Sequence, residues 1–92
     1  MAHFVHIYIS PKQGVSRAEI ERKLDLALDW YRYATGLYIV YTSSSVDIWK
    51  ARLIDFVKPT GRLLVFQIDA TKRNGWMNKD FWEWVRSKNE SV

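Results

Sequence analysis

The chain predicts a ferredoxin-like βαββαβ sandwich of the α/β (α+β) class, extended by a C-terminal helix, and three observations point there. The run W-Y-R-Y-A-T-G-L-Y-I-V-Y-T reads as two short strands, residues 30–34 and 37–42, joined at Thr35-Gly36. A helical pattern lies on each side of this hairpin. A strand pattern lies outside each helix. Two β-α-β units sharing one sheet, with right-handed crossovers, give the strand order 4-1-3-2. Both crossover helices then fall on one face and the other face is open.

The first strand is residues 3–10. Alternation sends Val5, Ile7 and Ile9 to one face, under the helices, and Phe4, His6 and Tyr8 to the other. The first helix opens with an S-x-x-E capping box, Ser16 and Glu19, with Val15 and Ile20 placed as a hydrophobic staple. Its apolar stripe is Ile20, Leu24, Ala27 and Leu28, and the pattern carries it to about residue 29. Beyond the hairpin, Ser43-Ser44-Ser45 offers N-cap hydroxyls to a second helix over residues 46–57, whose stripe is Val46, Trp49, Leu53 and Phe56. Pro59-Thr60-Gly61 stops it. The last strand, 62–69, places Leu64, Phe66 and Ile68 on one face and Leu63, Val65, Gln67 and Asp69 on the other. A basic loop over 70–75 leads to a third helix, about 78–87, with a wide apolar face of Phe81, Trp82, Trp84 and Val85; residues 88–92 read as frayed. Whether the hairpin presents Tyr38 and Val40 or Leu37, Ile39 and Tyr41 to the open face is left open by the pattern.

Composition narrows the field. Ninety-two residues make one domain, and a hydrophobic fraction of 48% supports a real core. With no cysteine there is no disulfide framework, no thiolate chemistry and no zinc knuckle. No run approaches the roughly 18 apolar residues of a membrane span. The N-terminus alternates like a strand rather than a signal peptide, so cytoplasm is the expected location and no membrane partner is expected. The net charge of +4 permits an anionic partner without requiring one.

Candidate chemistry is thin. Most carboxylates fall on helix surfaces, where solvated pairing is their usual role. Asp69 ends the last strand beside His3, an imaginable Asp–His pair or, in a nuclease, a metal ligand, but a strand-end Asp also caps the loop after it. His3 and His6 point to opposite faces of one strand and cannot share a metal. No catalytic residue, cofactor or metal site is therefore expected. Nucleic-acid binding has more to offer, because RNA-recognition domains of this topology stack bases on central-strand aromatics with basic residues around them. Phe4, Tyr8 and one of Tyr38 or Tyr41 could stack, His6 could stack on a base, sit in a dimer interface or titrate as a pH-sensitive contact, and Arg32, Arg62, Lys72 and Arg73 could meet phosphates. The characteristic aromatic-glycine string of those domains is absent from strand three. Trp76, Trp82 and Trp84 form an aromatic tail suited to docking on the sheet or on a partner.

From residue 30 onward the runs W-Y-R-Y-A-T-G-L-Y-I-V-Y-T, S-S-V-D-I-W-K-A-R-L and G-R-L-L-V-F-Q-I-D resemble the small bacterial SinR-like proteins, which are distinct from the helix-turn-helix sporulation regulator of that name. That family is related to the ferredoxin-like CRISPR spacer-acquisition subunit and to the VapD toxins. The similarity spans about residues 3–69 and leaves the segment 76–85 outside it. It implies a ferredoxin-like homodimer formed partly through sheet faces. The nuclease members carry an Asp at the end of strand one, where this chain has Ser10 in I-Y-I-S-P, so that metal ligand has no counterpart. The expectation is a non-enzymatic interaction protein, self-associating as a homodimer or binding a partner through its aromatic open face. A single-stranded nucleic-acid binder is the alternative, and a divalent-metal nuclease the third reading.

Overall fold

Alternation along H-F-V-H-I-Y-I-S puts strand β1 (His3–Ser10) at the centre of the molecule. Val5, Ile7 and Ile9 are excluded from solvent on one side, while Phe4, His6 and Tyr8 face the other. The computed structural model describes residues 1–89. In it, β1 is flanked by β3 (Leu37–Thr42) and β4 (Arg62–Ile68), with β2 (Asp29–Ala34) outside β3; the order is β2-β3-β1-β4 and every neighbouring pair is antiparallel. This is the predicted order, and the fold is a ferredoxin-like α+β sandwich with a C-terminal helix.

Helices α1 (Arg17–Leu24) and α2 (Val46–Leu53) cover one face. Each begins at a serine whose hydroxyl accepts a backbone N–H three residues on: Ser16 from Glu19 and Ser45 from Ile48, both at 3.2 Å. Such caps contribute about 1 kcal/mol apiece. Ile20 and Leu24 of α1, Trp49 and Leu53 of α2, and Val57 pack on Val5, Ile7, Ile9, Tyr38 and Val40. The parity of β3 is thereby resolved. Tyr38 and Val40 belong to the helix side, and Ile39 and Tyr41 to the open side.

Two helix ends differ from expectation. α1 stops at Leu24 instead of running to about residue 29. Leu26 and Ala27 close tight turns onto the Lys23 and Leu24 carbonyls, and the Leu28 N–H then reaches the Tyr41 carbonyl at 2.9 Å, so the chain has already joined the sheet. Leu28 consequently leaves the apolar stripe and is 68% exposed. α2 stops at Leu53 and tightens into a 3-10 turn, Ile54–Phe56, which still delivers Val57 to the core.

The β2–β3 turn needs its glycine. Gly36 has φ +73°, its carbonyl accepts the Ile9 N–H at 2.8 Å, and a Cβ there would lie 2.6 Å from the Ile9 carbonyl oxygen. Helix α3 (Lys79–Asn89) follows the 70–75 loop and lies on the open face of its own sheet, burying Phe81 and Val85 against Phe4 and Ile39. The expected fraying of 88–92 partly disappears, since α3 runs through Asn89; residues 90–92 lie outside the described residues. Among the described residues no helix is long and apolar enough to cross a membrane.

Candidate interaction face

The open face is divided by α3 into a covered and an uncovered half. The cover is pinned by Asp29, the first residue of β2. Its Oδ1 accepts the Trp30 N–H at 2.8 Å, while its Oδ2 receives the Lys88 ammonium at 2.7 Å and the Trp84 indole N–H at 3.0 Å. Burial pushes the carboxyl upward, but the Lys88, Trp30 and Trp84 donors outweigh it and hold the group below its usual 3.8. Around this pin the rings interlock. Trp84 lies 5.9 Å from Phe4 and 5.6 Å from Tyr31, Phe81 lies 5.4 Å from Tyr31, and Phe4 lies 5.2 Å from Tyr41.

The strand register defines what remains uncovered. The row Tyr41–Phe4–Ile68 sits under α3. The next row brings His6 between Ile39 and Phe66, and the one beyond brings Tyr8 between Leu37 and Leu64. Leu64 and Phe66 are 46% and 54% exposed, large values for apolar side chains on the face of a sheet. Both belong to β4, one of the two edge strands.

His6 stands at the boundary of the two halves. Its Nε2 lies 2.5 Å from the Tyr33 hydroxyl. Burial pushes the imidazole down from its ordinary 6.5 and pushes the Tyr33 phenol up. The neutral ring that burial favours shares this hydrogen bond with the Tyr33 hydroxyl. Because the folded state binds the imidazolium proton less well than the unfolded chain, stability is complete above 6.5 and falls as the pH drops through the lowered value. Urea midpoints recorded between about pH 7.5 and 5 are expected to decline in the wild type and to flatten in His6→Gln; parallel curves would assign the decline elsewhere.

The remaining predicted residues are scattered. Tyr38 is 1% exposed on the helix side, where its hydroxyl donates to Glu21 Oε2 at 3.1 Å; burial and the Glu21 carboxylate push the phenol up to about 12. Arg32 pairs with Tyr38 across the hairpin and shares its side. Arg62, opposite Ser10, occupies one end of the sheet, and Lys72 and Arg73 follow Ile68, opposite Phe4, at the other. Six strand residues separate those ends by about 20 Å. The four basic residues therefore form no common rim. Trp76, 99% exposed, and Trp82 instead line a groove of about 430 Å³ between α3, the 70–77 segment and the sheet, with Lys72 and Arg73 on its wall.

His3 and Asp69 have other partners. His3 Nε2 lies 3.0 Å from the Ser44 carbonyl oxygen, while Asp69 Oδ1 accepts the Thr71 N–H at 3.0 Å and the Thr71 hydroxyl at 2.6 Å, bonds that lower its pKa. Asp69 thus caps the loop after β4. Among the described residues no three His, Asp or Glu side chains are grouped to hold a metal ion. Comparison of the chain with protein-family models, with curated proteins and with solved structures finds no match.

Sequence reasoning missed Tyr31, Tyr33 and Asp29 as builders of this face. The alternation W-Y-R-Y already placed the two tyrosines together. Asp29 carried no such signal, because the helical pattern absorbed it.

Proposed function

We propose that this chain is a non-enzymatic interaction module that self-associates through the uncovered half of its open face and the adjoining edge of β4. The observation that carries the reading is the exposure of Phe66 and Leu64 together on an edge strand. An exposed edge offers unpaired N–H and C=O groups, and native sheets ordinarily blunt it with proline or inward charges. The β4 sequence R-L-L-V-F-Q-I contains no proline, and its one charge, Arg62, stands at the end. Two such edges meeting antiparallel about a two-fold axis would continue the sheet and bring both apolar patches together. The resemblance to SinR-like proteins points the same way.

Sedimentation measurements from low to several hundred micromolar are expected to find a dimer. Phe66→Glu, which sets a charge in the patch, is expected to weaken it by more than about tenfold without altering the circular dichroism spectrum. A wild-type chain that stays monomeric throughout would overturn the reading. Single-stranded nucleic acid is the competing occupant. With Phe4 under α3, Tyr8, His6 and Phe66 would be the rings left to stack on. Amide shifts at those residues on adding a short single-stranded RNA, fading between about 50 and 200 mM salt, would favour that occupant.

A further inference from the structure

On the opposite side of the sheet, the start of α1 meets the β2–β3 turn and the end of β1 around a cleft of about 350 Å³. Two guanidinium groups, Arg17 and Arg32, line it together with Ser10, Thr35, Ile20 and Tyr38. Arg32 reaches the cleft because the register sets it across from Tyr38 on the helix side. Its Nε is shut off from solvent and has no hydrogen-bond partner. The carboxylate at this corner is already engaged: Glu21 Oε2 accepts the Tyr38 hydroxyl at 3.1 Å and pairs with Arg17 Nε at 3.4 Å. Two cations against one anion leave a positive charge uncompensated.

A ligand in the cleft cannot reach that enclosed Nε and meets the terminal nitrogens of Arg32 instead, and a guanidinium is matched to phosphate oxygens. The hydroxyls of Ser10 and Thr35 add neutral donors, which suits a tetrahedral group with several terminal oxygens better than a planar carboxylate. The cleft is also larger than one phosphate and falls within the size range of small-ligand sites. Tyr8 and Pro11, both reachable from solvent, give it an apolar side on which an attached ring can rest. We propose that this cleft binds a small phosphate monoester of nucleoside monophosphate size, with Arg32 and Arg17 holding the phosphate. Arg32 lies on the helix side of the sheet, away from Phe66 and Leu64, while Tyr8 at the edge of the cleft also belongs to the open face.

The test is an NMR titration of the full chain, following amide and arginine Nε–H signals, with adenosine 5′-monophosphate, inorganic phosphate and adenosine in turn. The monophosphate is expected to give saturable shifts of the Arg32 Nε–H and of Thr35 and Gly36, tighter than inorganic phosphate, with adenosine inert. Arg32→Gln is expected to weaken binding at least tenfold and Arg17→Gln severalfold. Arg17 is 62% exposed in its side chain, so its variant folds and keeps the test decisive even if Arg32→Gln does not. Absence of saturation by about 10 mM overturns the site, since that limit is weaker than millimolar affinity. So does equal binding of adenosine, or shifts concentrated at Lys72 and Arg73. Equal affinity for inorganic phosphate and the monophosphate overturns the ester and leaves an orthophosphate site.

Discussion

Trp49→Ala is expected to remove a large share of the stability of this domain. The indole is fully buried and is the largest side chain of the helix-side core. Its Nε1–H donates at 3.2 Å to Thr42 Oγ1, itself 1% exposed, and the Arg52 guanidinium lies 4.6 Å from the ring centre. Cutting a buried tryptophan to alanine costs about 3–5 kcal/mol. A chain of this length holds about 5–14 kcal/mol in total. The expected drop in Tm is about 12–40 °C. Trp49→Phe separates packing from hydrogen bonding. It keeps much of the volume and loses the donor, so about 1–2 kcal/mol should go. Urea denaturation followed by circular dichroism measures both. A loss under about 1 kcal/mol for the alanine variant would mean that the core closes over the gap, against the close packing expected of interiors.

Trp49 was legible in the sequence because helical spacing and burial agree at that position. The same holds for Val5, Ile7 and Ile9, whose period-two pattern needs one covered face, and for Ser16 and Ser45, whose capping is decided within four residues. What failed to read through were decisions made by distant residues. Leu26, Ala27 and Leu28 continue a helical stripe, yet the chain leaves the helix after Leu24 because Leu28 pairs with Tyr41 and Asp29 finds its donors on Trp84 and Lys88, more than fifty residues later. The parity of L-Y-I-V-Y-T was hidden for a related reason. Both faces of β3 are covered, one by α1 and α2 and one by α3, so apolar residues fill both and the alternation vanishes.

Charge was the weakest guide. Arg32, Arg62, Lys72 and Arg73 look equivalent by charge, but strand register puts Arg32 and Arg62 on opposite edge strands, while Lys72 and Arg73 share the loop beyond the far end of β4. One of them, Arg32, ends with an unpartnered buried Nε, a circumstance no composition reveals. The open face shows the converse. Its aromatics were visible from alternation alone, while the share of them that α3 hides depends on where a helix after a polar loop comes to rest. Phe4 is 4% exposed and Phe66 is 54% exposed, though the two residues share one face.

Phe81→Ala is expected to free α3 while the sheet, α1 and α2 stay folded. The helix-side core contains no residue of α3, whose attachment is made through the open face: Phe81, Val85, Trp82 and Trp84, and the Lys88–Asp29 pair. Phe81 is the centre of that contact, with its ring 5.4 Å from Tyr31, 6.2 Å from Tyr33 and 5.1 Å from Trp82. Removing it costs about 3–5 kcal/mol. An 11-residue helix has little stability of its own to set against that loss. A partly exposed ion pair adds about 1 kcal/mol and does not hold the helix alone. Hydrogen exchange should therefore lose protection over residues 79–89 while β1 and β3 keep theirs, with tryptophan emission shifting to the red. Equal loss in β1 and β3 would instead make α3 part of one cooperative core. In the expected case Phe4, Ile39 and Tyr41 come into the open beside Tyr8 and Phe66, and the apolar face is enlarged. Self-association through the sheet face should then tighten in Phe81→Ala. If association instead runs through the β4 edge alone it should stay unchanged, because that edge lies outside the cover of α3.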